Sequence, residues 1–429
     1  MLVQIKLKNF LSFKEDQTFS MVSSNNLKDI EENRVKIAED FYLLKSASIF
    51  GANASGKSNL LKSINFLRAF IVRSFKDSNE REGIEDTSFV LDEFSRDKPT
   101  FIEIVFIDKK NRLMRFGVEF NRTSVIKEYL YIDEKVVYER NNHELTNINV
   151  DYLEIKQTEL TWKMTNEQTL FLSVLSSTNV EFAEDITKFM INDLNVITCI
   201  GDGRADLTKE LIIEDKEEKE RILELLGLAD FNITNLSTKK SRFKIQNMDK
   251  ENVPKPILKK IEMDTTKIIT GHNVYNSNKE IVGTHFFDAE ESESSGTNEF
   301  LKIVGPIVDA LINGKTLLID EIDSQFHPLL THKVLELFNS EENKHNAQLI
   351  ITSHNSTLLD NTLLRRDQIW FTEKDVVEAS HLTSLSNYRF KGEVVRSDEK
   401  YDKNYLQGKY GAIPIIKKDF KELFDEGIE

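Results

Sequence analysis

Apolar and polar residues alternate from the start of the chain. Val3, Ile5 and Leu7 share one face, and after a polar turn Gln17-Thr18-Phe19-Ser20-Met21 resumes the pattern, so residues 1–20 read as a two-stranded hairpin. The period of two returns at Thr100. Residues 101–107, 113–120 and 126–132 are three strand-like runs and 136–140 a fourth, which predicts an antiparallel meander. The charged stretch 76–83 before it reads as a loop. Helical spacing takes over at 168–195, through Leu170, Leu172, Val174, Leu175, Phe182, Ile186, Phe189 and Met190. It recurs at 206–229, where 215–221 supply the polar face. No heptad repeat is sustained, which excludes a long coiled coil, and the chain shows no internal repeat or low-complexity tract.

Three apolar runs do not alternate. Ala47-Ser48-Ile49-Phe50, Lys315-Thr316-Leu317-Leu318-Ile319 and Gln348-Leu349-Ile350-Ile351-Thr352 read as apolar strands, and the second, a continuous apolar run, reads as buried on both faces, as in the core of a parallel sheet. The first leads into Gly51-Ala52-Asn53-Ala54-Ser55-Gly56-Lys57-Ser58, a complete G-x-x-x-x-G-K-S loop, and then into the helical segment that begins at Asn59. Strand, glycine-rich loop and helix is the context this motif requires. Glycines let backbone N–H groups close around phosphate oxygens, and the helix N-terminus adds partial positive charge. Lys57 is placed for the β- and γ-phosphates of a nucleoside triphosphate and Ser58 for Mg²⁺.

The second run ends in Asp320-Glu321. Asp320 at a strand tip can hold Mg²⁺, and Glu321 can polarise a water for in-line attack on a γ-phosphate. Alone, two acids beginning a loop say little; in one chain with Lys57 and Ser58 they define a nucleotide site. The third run ends at Ser353-His354-Asn355, and His354 is placed to touch the γ-phosphate or the attacking water. Between loop and acids, Glu293-Ser294-Ser295-Gly296-Thr297 opens a helix with Phe300, Leu301, Val304, Ile307, Val308 and Leu311 in register, closed by Gly314. Read by itself this is a capped helix with Thr297 or Ser295 as N-cap, whose N-terminus can bind an anion.

Composition narrows the class. The 429 residues allow two or three lobes, and 39% hydrophobic with 30% charged residues fits a soluble globular protein. No run of 18 apolar residues exists, which argues against a membrane span, and the alternating N-terminus reads as a strand rather than a signal peptide. The single Cys199 can build neither a disulfide framework nor a metal cluster and reads as a small buried hydrophobe. A cytoplasmic location is the expectation. The net charge of −15 argues against a general nucleic-acid coat. A local basic patch at Lys239, Lys240, Arg242 and Lys244, with Lys255, Lys259 and Lys260 after it, reads first as a solvated face.

In order, these motifs resemble the ABC-type ATPase heads of chromosome-maintenance and recombination proteins, of SMC and RecF kind. The resemblance implies an α/β P-loop NTPase of ABC-ATPase head type: a mixed sheet with an antiparallel β insert and a helical inserted subdomain. It implies an N-terminal lobe over 1–199, the inserted subdomain over 200–283, and a C-terminal lobe over 284–429. By the same resemblance Gly51, Asn53, Ala54, Ser55, Gly56, Lys57, Ser58 and Asn59 match Walker A, and Ser294, Ser295 and Gly296 match the signature turn that caps ATP on an opposite subunit. Asp320 and Glu321 match Walker B and the catalytic acid, Asp323 the D-loop, and His354 the switch histidine; Gln157 and Gln168 both remain candidates for the Q-loop. The signature lacks the leucine and second central glycine of transporter versions.

Asn9-Phe10-Leu11-Ser12-Phe13, the loop with its flanks, 366–374 and Tyr405-Leu406-Gln407-Gly408-Lys409-Tyr410-Gly411-Ala412-Ile413-Pro414 are similar to the AAA-family ATPases of bacterial abortive-infection and anti-phage operons, of RloA/AbiL type. Relatives of the overcoming-lysogenization-defect type carry a C-terminal Toprim nuclease; the stretch after His354 holds no Asp-x-Asp pair for metal, so any nuclease is expected on a separate chain. The resemblance implies ATP and Mg²⁺ as cofactors, an ATP-sandwiched homodimer or larger homo-oligomer, a separate nuclease-like effector, and no membrane partner. It leaves a second role open, a DNA-repair ATPase that clamps DNA.

Overall fold

The computed structural model describes residues 1–77, 83–198, 205–229, 231–240, 266–323, 326–390 and 392–414. Cys199, Arg242, Lys244, Lys255, Lys259, Lys260 and most of the expected loop at 76–83 lie outside the described residues.

In chain order the first elements are β1 (Leu2–Lys8), β2 (Gln17–Ser20), β3 (Arg34–Ala38), β4 (Phe41–Leu44), β5 (Ser46–Gly51) and α1 (Lys57–Arg73). β6 (Thr100–Ile107), β7 (Leu113–Phe120), β8 (Val125–Ile132), β9 (Lys135–Asn141) and β10 (Glu144–Ile148) follow, then α2 (Ile155–Lys163), α3 (Phe171–Ser177) and α4 (Glu181–Lys188). Next come β11 (Leu194–Ile197), α5 (Ala205–Glu214), α6 (Lys216–Leu228), β12 (Asn235–Lys240), β13 (Thr266–Tyr275) and β14 (Ile281–Asp288). α7 (Ala289–Ser292), α8 (Ser295–Asn313), β15 (Thr316–Ile319), α9 (Pro328–Asn339), β16 (Gln348–Ser353), β17 (Ile369–Lys374), β18 (Ser380–Ser384) and α10 (Tyr401–Leu406) follow, with short helical turns and a two-residue strand pair (Arg389–Phe390 with Glu393–Val394) besides.

Contacts divide the chain into two units: residues 2–187 with 352–429, and Met1 with 188–351. The first unit holds a seven-stranded sheet in the order β10-β9-β8-β7-β6-β1-β2, antiparallel throughout. The expected hairpin and meander are therefore one sheet, joined where β1 pairs with β6. In the same unit β5 pairs in parallel with β17, and β17 antiparallel with β18. Helix α1 buries Leu60, Leu61, Ile64, Leu67, Phe70 and Ile71. Its Phe66 stacks on Phe120 of β7, with ring centroids 5.1 Å apart, and meets Phe10 edge-on. Aromatic contacts of this kind add about 0.5–1.5 kcal/mol each beyond burial.

A buried carboxylate ties the sheet to α3. Glu128 on β8 accepts from the backbone N–H groups of Phe171 (2.8 Å) and Leu172 (2.9 Å), the open N-terminus of α3, and from the Tyr138 hydroxyl (2.7 Å). Arg140 lies 3.5 Å from the same carboxylate and donates to Thr169 O. Burial, and then the adjacent Glu128 charge, push the Tyr138 hydroxyl pKa well up, so it serves as a donor. Replacing Glu128 by Ala leaves a buried guanidinium without its counter-charge, and two helix amides and the Tyr138 hydroxyl without their acceptor. The expected loss is about 3–5 kcal/mol, checked by chemical denaturation, with amide exchange accelerating first at Phe171 and Leu172. A second clasp joins residues 24–30 to the start of β17. Burial opposes ionisation of Asp29, but Arg366 bonds both its oxygens and holds its carboxyl below the usual range.

The second unit holds a parallel sheet β11-β15-β16 and a separate antiparallel sheet β12-β13-β14. The helical stretch expected at 206–229 is two helices. Asp215 ends the first and caps the second, accepting from Glu217 N (2.7 Å) and Glu218 N (3.2 Å). The inserted segment thus contains the expected helices and adds to them a sheet that alternation did not reveal. Helix α8 packs closely on α5 because Gly305 has no side chain: a Cβ there would lie 2.5 Å from Thr208 Oγ1, which accepts from the Gly305 amide.

Candidate functional site

Strand β5 is buried along its whole length and ends at Gly51, where the chain turns sharply. Ala54 (φ 61°) and Gly56 (φ 115°) take left-handed backbone, and α1 begins at Lys57 with no side chain capping its N-terminus. Space as well as conformation selects the two glycines. A Cβ on Gly51 would lie 2.4 Å from Thr372 O, and one on Gly56 would lie 2.4 Å from Ser380 Oγ. Asn53 and Ala54 are exposed at the loop tip, and Ser58 is half-buried on the first turn of α1.

Lys57 is 4% exposed. Its ammonium donates to Gly51 O at 2.8 Å and Ala52 O at 3.1 Å, and it lies 3.5 Å from Nδ1 of His354, the first residue past β16. The structure therefore brings together Lys57 and His354, which are 297 positions apart. A neutral imidazole with its Nδ1 lone pair toward the ammonium suits this geometry.

Three braces hold the loop, and motif reading missed all three. Ser55 Oγ lies 2.8 Å from Thr372 Oγ1 on β17. Ser380 of β18 donates through its hydroxyl to Ser55 O (2.6 Å) and through its amide to Ser12 O (2.7 Å). Asn59 donates to Ser12 Oγ at 2.8 Å, so its amide is engaged by the segment that follows β1. The signal available in the sequence was the Asn9-Phe10-Leu11-Ser12-Phe13 stretch, quoted above only as a likeness.

In the other unit, β15 carries Asp320 to the end of the parallel sheet. Asp320 is 8% exposed, and its amide donates to Ile197 O on β11 at 2.8 Å. Glu321 is half-buried with φ 48°, the left-handed backbone that turns the chain out of the sheet. Asp323 follows, and residues 324–325 lie outside the described set. Ser294, rather than Thr297 or Ser295, is the N-cap of α8: its backbone is extended and its Oγ accepts from Thr297 N at 3.1 Å. A cap side chain accepts from an amide two or three residues on, and Ser294 does so at Thr297. Ser295 and Gly296 form the first helical positions. The preceding Glu293 accepts from Thr270 Oγ1 (2.5 Å) and pairs with His272 Nε2 (2.8 Å), both on β13. Gln157 is exposed on α2 and Gln168 lies in the turn before α3.

These residues fit a nucleoside triphosphate. An uncapped helix N-terminus, a loop that only glycine can close and a buried ammonium are the donor set for polyphosphate. Among the described residues no group of three or more His, Cys, Asp or Glu could hold a metal by itself. Mg²⁺ at a phosphate site needs few protein ligands, because phosphate and water fill the rest of its shell.

Loop, buried lysine and parallel strands define a P-loop NTPase, and the mixed α/β arrangement fits the ABC-ATPase head type. A sequence-family model described as "AAA domain, putative AbiEii toxin, Type IV TA system" matches residues 46–360, and the chain belongs to that family. The fold is similar to the SMC head domain from Thermotoga maritima, with 13% identity, TM-score 0.43, and coverage of 89% of this chain and 98% of that one. It is similar to an SMC head bound to the C-terminal winged-helix domain of ScpA, with 12% identity, TM-score 0.47, and coverage of 89% and 97%. A third similar structure is the recombination mediator protein RecF-ATPrS, with 12% identity, TM-score 0.36, and coverage of 90% and 98%. No curated protein matches the sequence. Among the described residues no helix is long and apolar enough to cross a membrane.

Proposed function

We propose that the protein binds and hydrolyses ATP and acts as a nucleotide-gated sensor or scaffold in an anti-phage, abortive-infection system of RloA/AbiL type. The observation that carries the reading is Lys57: a buried cation held against Gly51 and Ala52 by the loop that opens α1. The family's description, with its toxin–antitoxin association, supports the cellular half.

In this reading the nucleotide, bound with Mg²⁺, supplies the phosphoryl group for transfer to water. Lys57 and the amides of residues 53–58 offset the charge of the β- and γ-phosphates. Ser58 Oγ and the Asp320 carboxylate would hold Mg²⁺, which would supply further positive charge toward the phosphates. Glu321 accepts the proton of the attacking water, and His354 steadies Lys57 and the γ-phosphate. Ser294, Ser295 and Gly296, with Asp323, complete the site of a second copy, so hydrolysis requires two chains. Catalysis is then positioning and electrostatics, as phosphoryl transfer generally requires. The state of this pair controls a separate nuclease-like effector.

The test is ATP turnover and ATP-dependent association of the purified protein, with and without Mg²⁺. Turnover that EDTA abolishes and duplex DNA leaves unchanged is expected, together with co-purification of a neighbouring gene's product. A folded protein with no affinity for ATP in Mg²⁺ would overturn the proposal. ATP-dependent, salt-sensitive duplex binding would replace its cellular half with a DNA clamp.

A further inference from the structure

Strand β14 is one of the two outer strands of the three-stranded sheet, and it is exposed on both faces. Ile281 and Val282 are each 61% exposed and Phe286 51%, and Phe287 is exposed as well. From Ile281 to Phe287 there is no Lys, Arg, Asp, Glu or Pro. The ladder irregularity at Val274/Tyr275 lies at one end, opposite Ile281. An edge without charge, proline or a central bulge lacks the devices that keep strands from pairing with other chains. In a chain of net charge −15, such a stretch is where two copies can approach with least repulsion.

The strand is also complementary to itself. Antiparallel pairing with a second copy about Thr284 sets Val282 opposite Phe286 and Ile281 opposite Phe287, twice each by symmetry. Gly283 falls opposite His285. Aromatic residues opposite β-branched ones are favourable cross-strand pairs. The acidic pair this register creates, also twice, is Glu280 opposite Asp288, and in each copy Lys267 offsets it from 2.6 Å away on Asp288. We infer that β14 pairs with β14 of a second copy of this chain, making a continuous six-stranded sheet through a two-fold, self-complementary contact. The contact needs no nucleotide and does not rest on the ATPase reading.

It also lies next to the turn that opens α8. The Phe287 ring packs on His285 (4.6 Å) and on His272 (5.6 Å), and His272 holds Glu293, the residue before the Ser294 cap. Pairing at β14 therefore steadies the strand that anchors Ser294 and Gly296.

Sedimentation velocity in EDTA, without nucleotide, reads this contact apart from any ATP-bound pair. The Lys57→Ala chain is expected to form a concentration-dependent dimer, and Phe286→Glu to weaken it at least about tenfold, because both Val282–Phe286 cross-strand pairs are lost and two carboxylates are added across the contact of an already acidic chain. Because Phe286→Glu can act through folding, register is tested separately. Thr284→Cys in a Cys199→Ser background places two thiols across the two-fold, where facing Cα atoms in an antiparallel pair lie about 4.5–5.5 Å apart, within disulfide reach. Mild oxidation is expected to cross-link it, while Asn278→Cys in the same background stays uncoupled. A nucleotide-free chain that remains monomeric, or a dimer that Phe286→Glu leaves intact and Thr284→Cys does not cross-link, overturns the inference.

Discussion

Lys57→Ala is expected to lower ATP turnover by about 10²- to 10³-fold, the range for loss of one preorganised charge-stabilising donor. The argument is geometric. The ammonium is buried, aligned by two loop carbonyls and next to His354, so no reorganisation is needed when phosphate charge develops. A surface lysine would lose little. Lys57→Met keeps the buried stem and separates charge from packing; the same kinetic loss with an unchanged melting temperature is expected. Steady-state phosphate release and nucleotide titration measure both. Wild-type turnover in either variant would show that the loop binds something other than the reacting phosphates.

Glu321→Gln is the second large effect. The side chains match in size, and both residues accept the left-handed backbone that position 321 requires at similar cost. What changes is the ability to take a proton from water. Hydrolysis is expected to fall about 10²- to 10⁴-fold, the usual weight of a general base. Binding is expected to persist, so an ATP-bound dimer accumulates in Mg²⁺, visible by light scattering behind a sizing column. A variant that turns over at the wild-type rate would move the base elsewhere, and one that neither hydrolyses nor associates would point to a structural role for Glu321.

How far the sequence spoke depended on the range of the interactions. The meander was legible because each of β6 to β9 is long and alternates, with hairpin partners adjacent in the chain. β14 was not, because it is exposed on both faces and alternates nothing. The glycine loop was legible because Gly51, Gly56 and Lys57 act through backbone and charge within eight residues. Its braces were not: Thr372 and Ser380 are ordinary polar residues in distant strands, chosen only by where β17 and β18 fall. The Ser294 cap was misplaced by one residue or more because Ser294, Ser295 and Thr297 are all good caps, and only the extended backbone of Ser294 separates them.

Those braces have a consequence for biosynthesis. Ser55 meets its partners 317 and 325 positions later in the chain. A ribosome has delivered the whole of α1, the meander and the second unit before Thr372 emerges. Until then the phosphate loop has its glycines and its lysine but not the walls that shape it. The braced form of the loop therefore comes into being only after β17 and β18 have been made, however early the loop itself is synthesised.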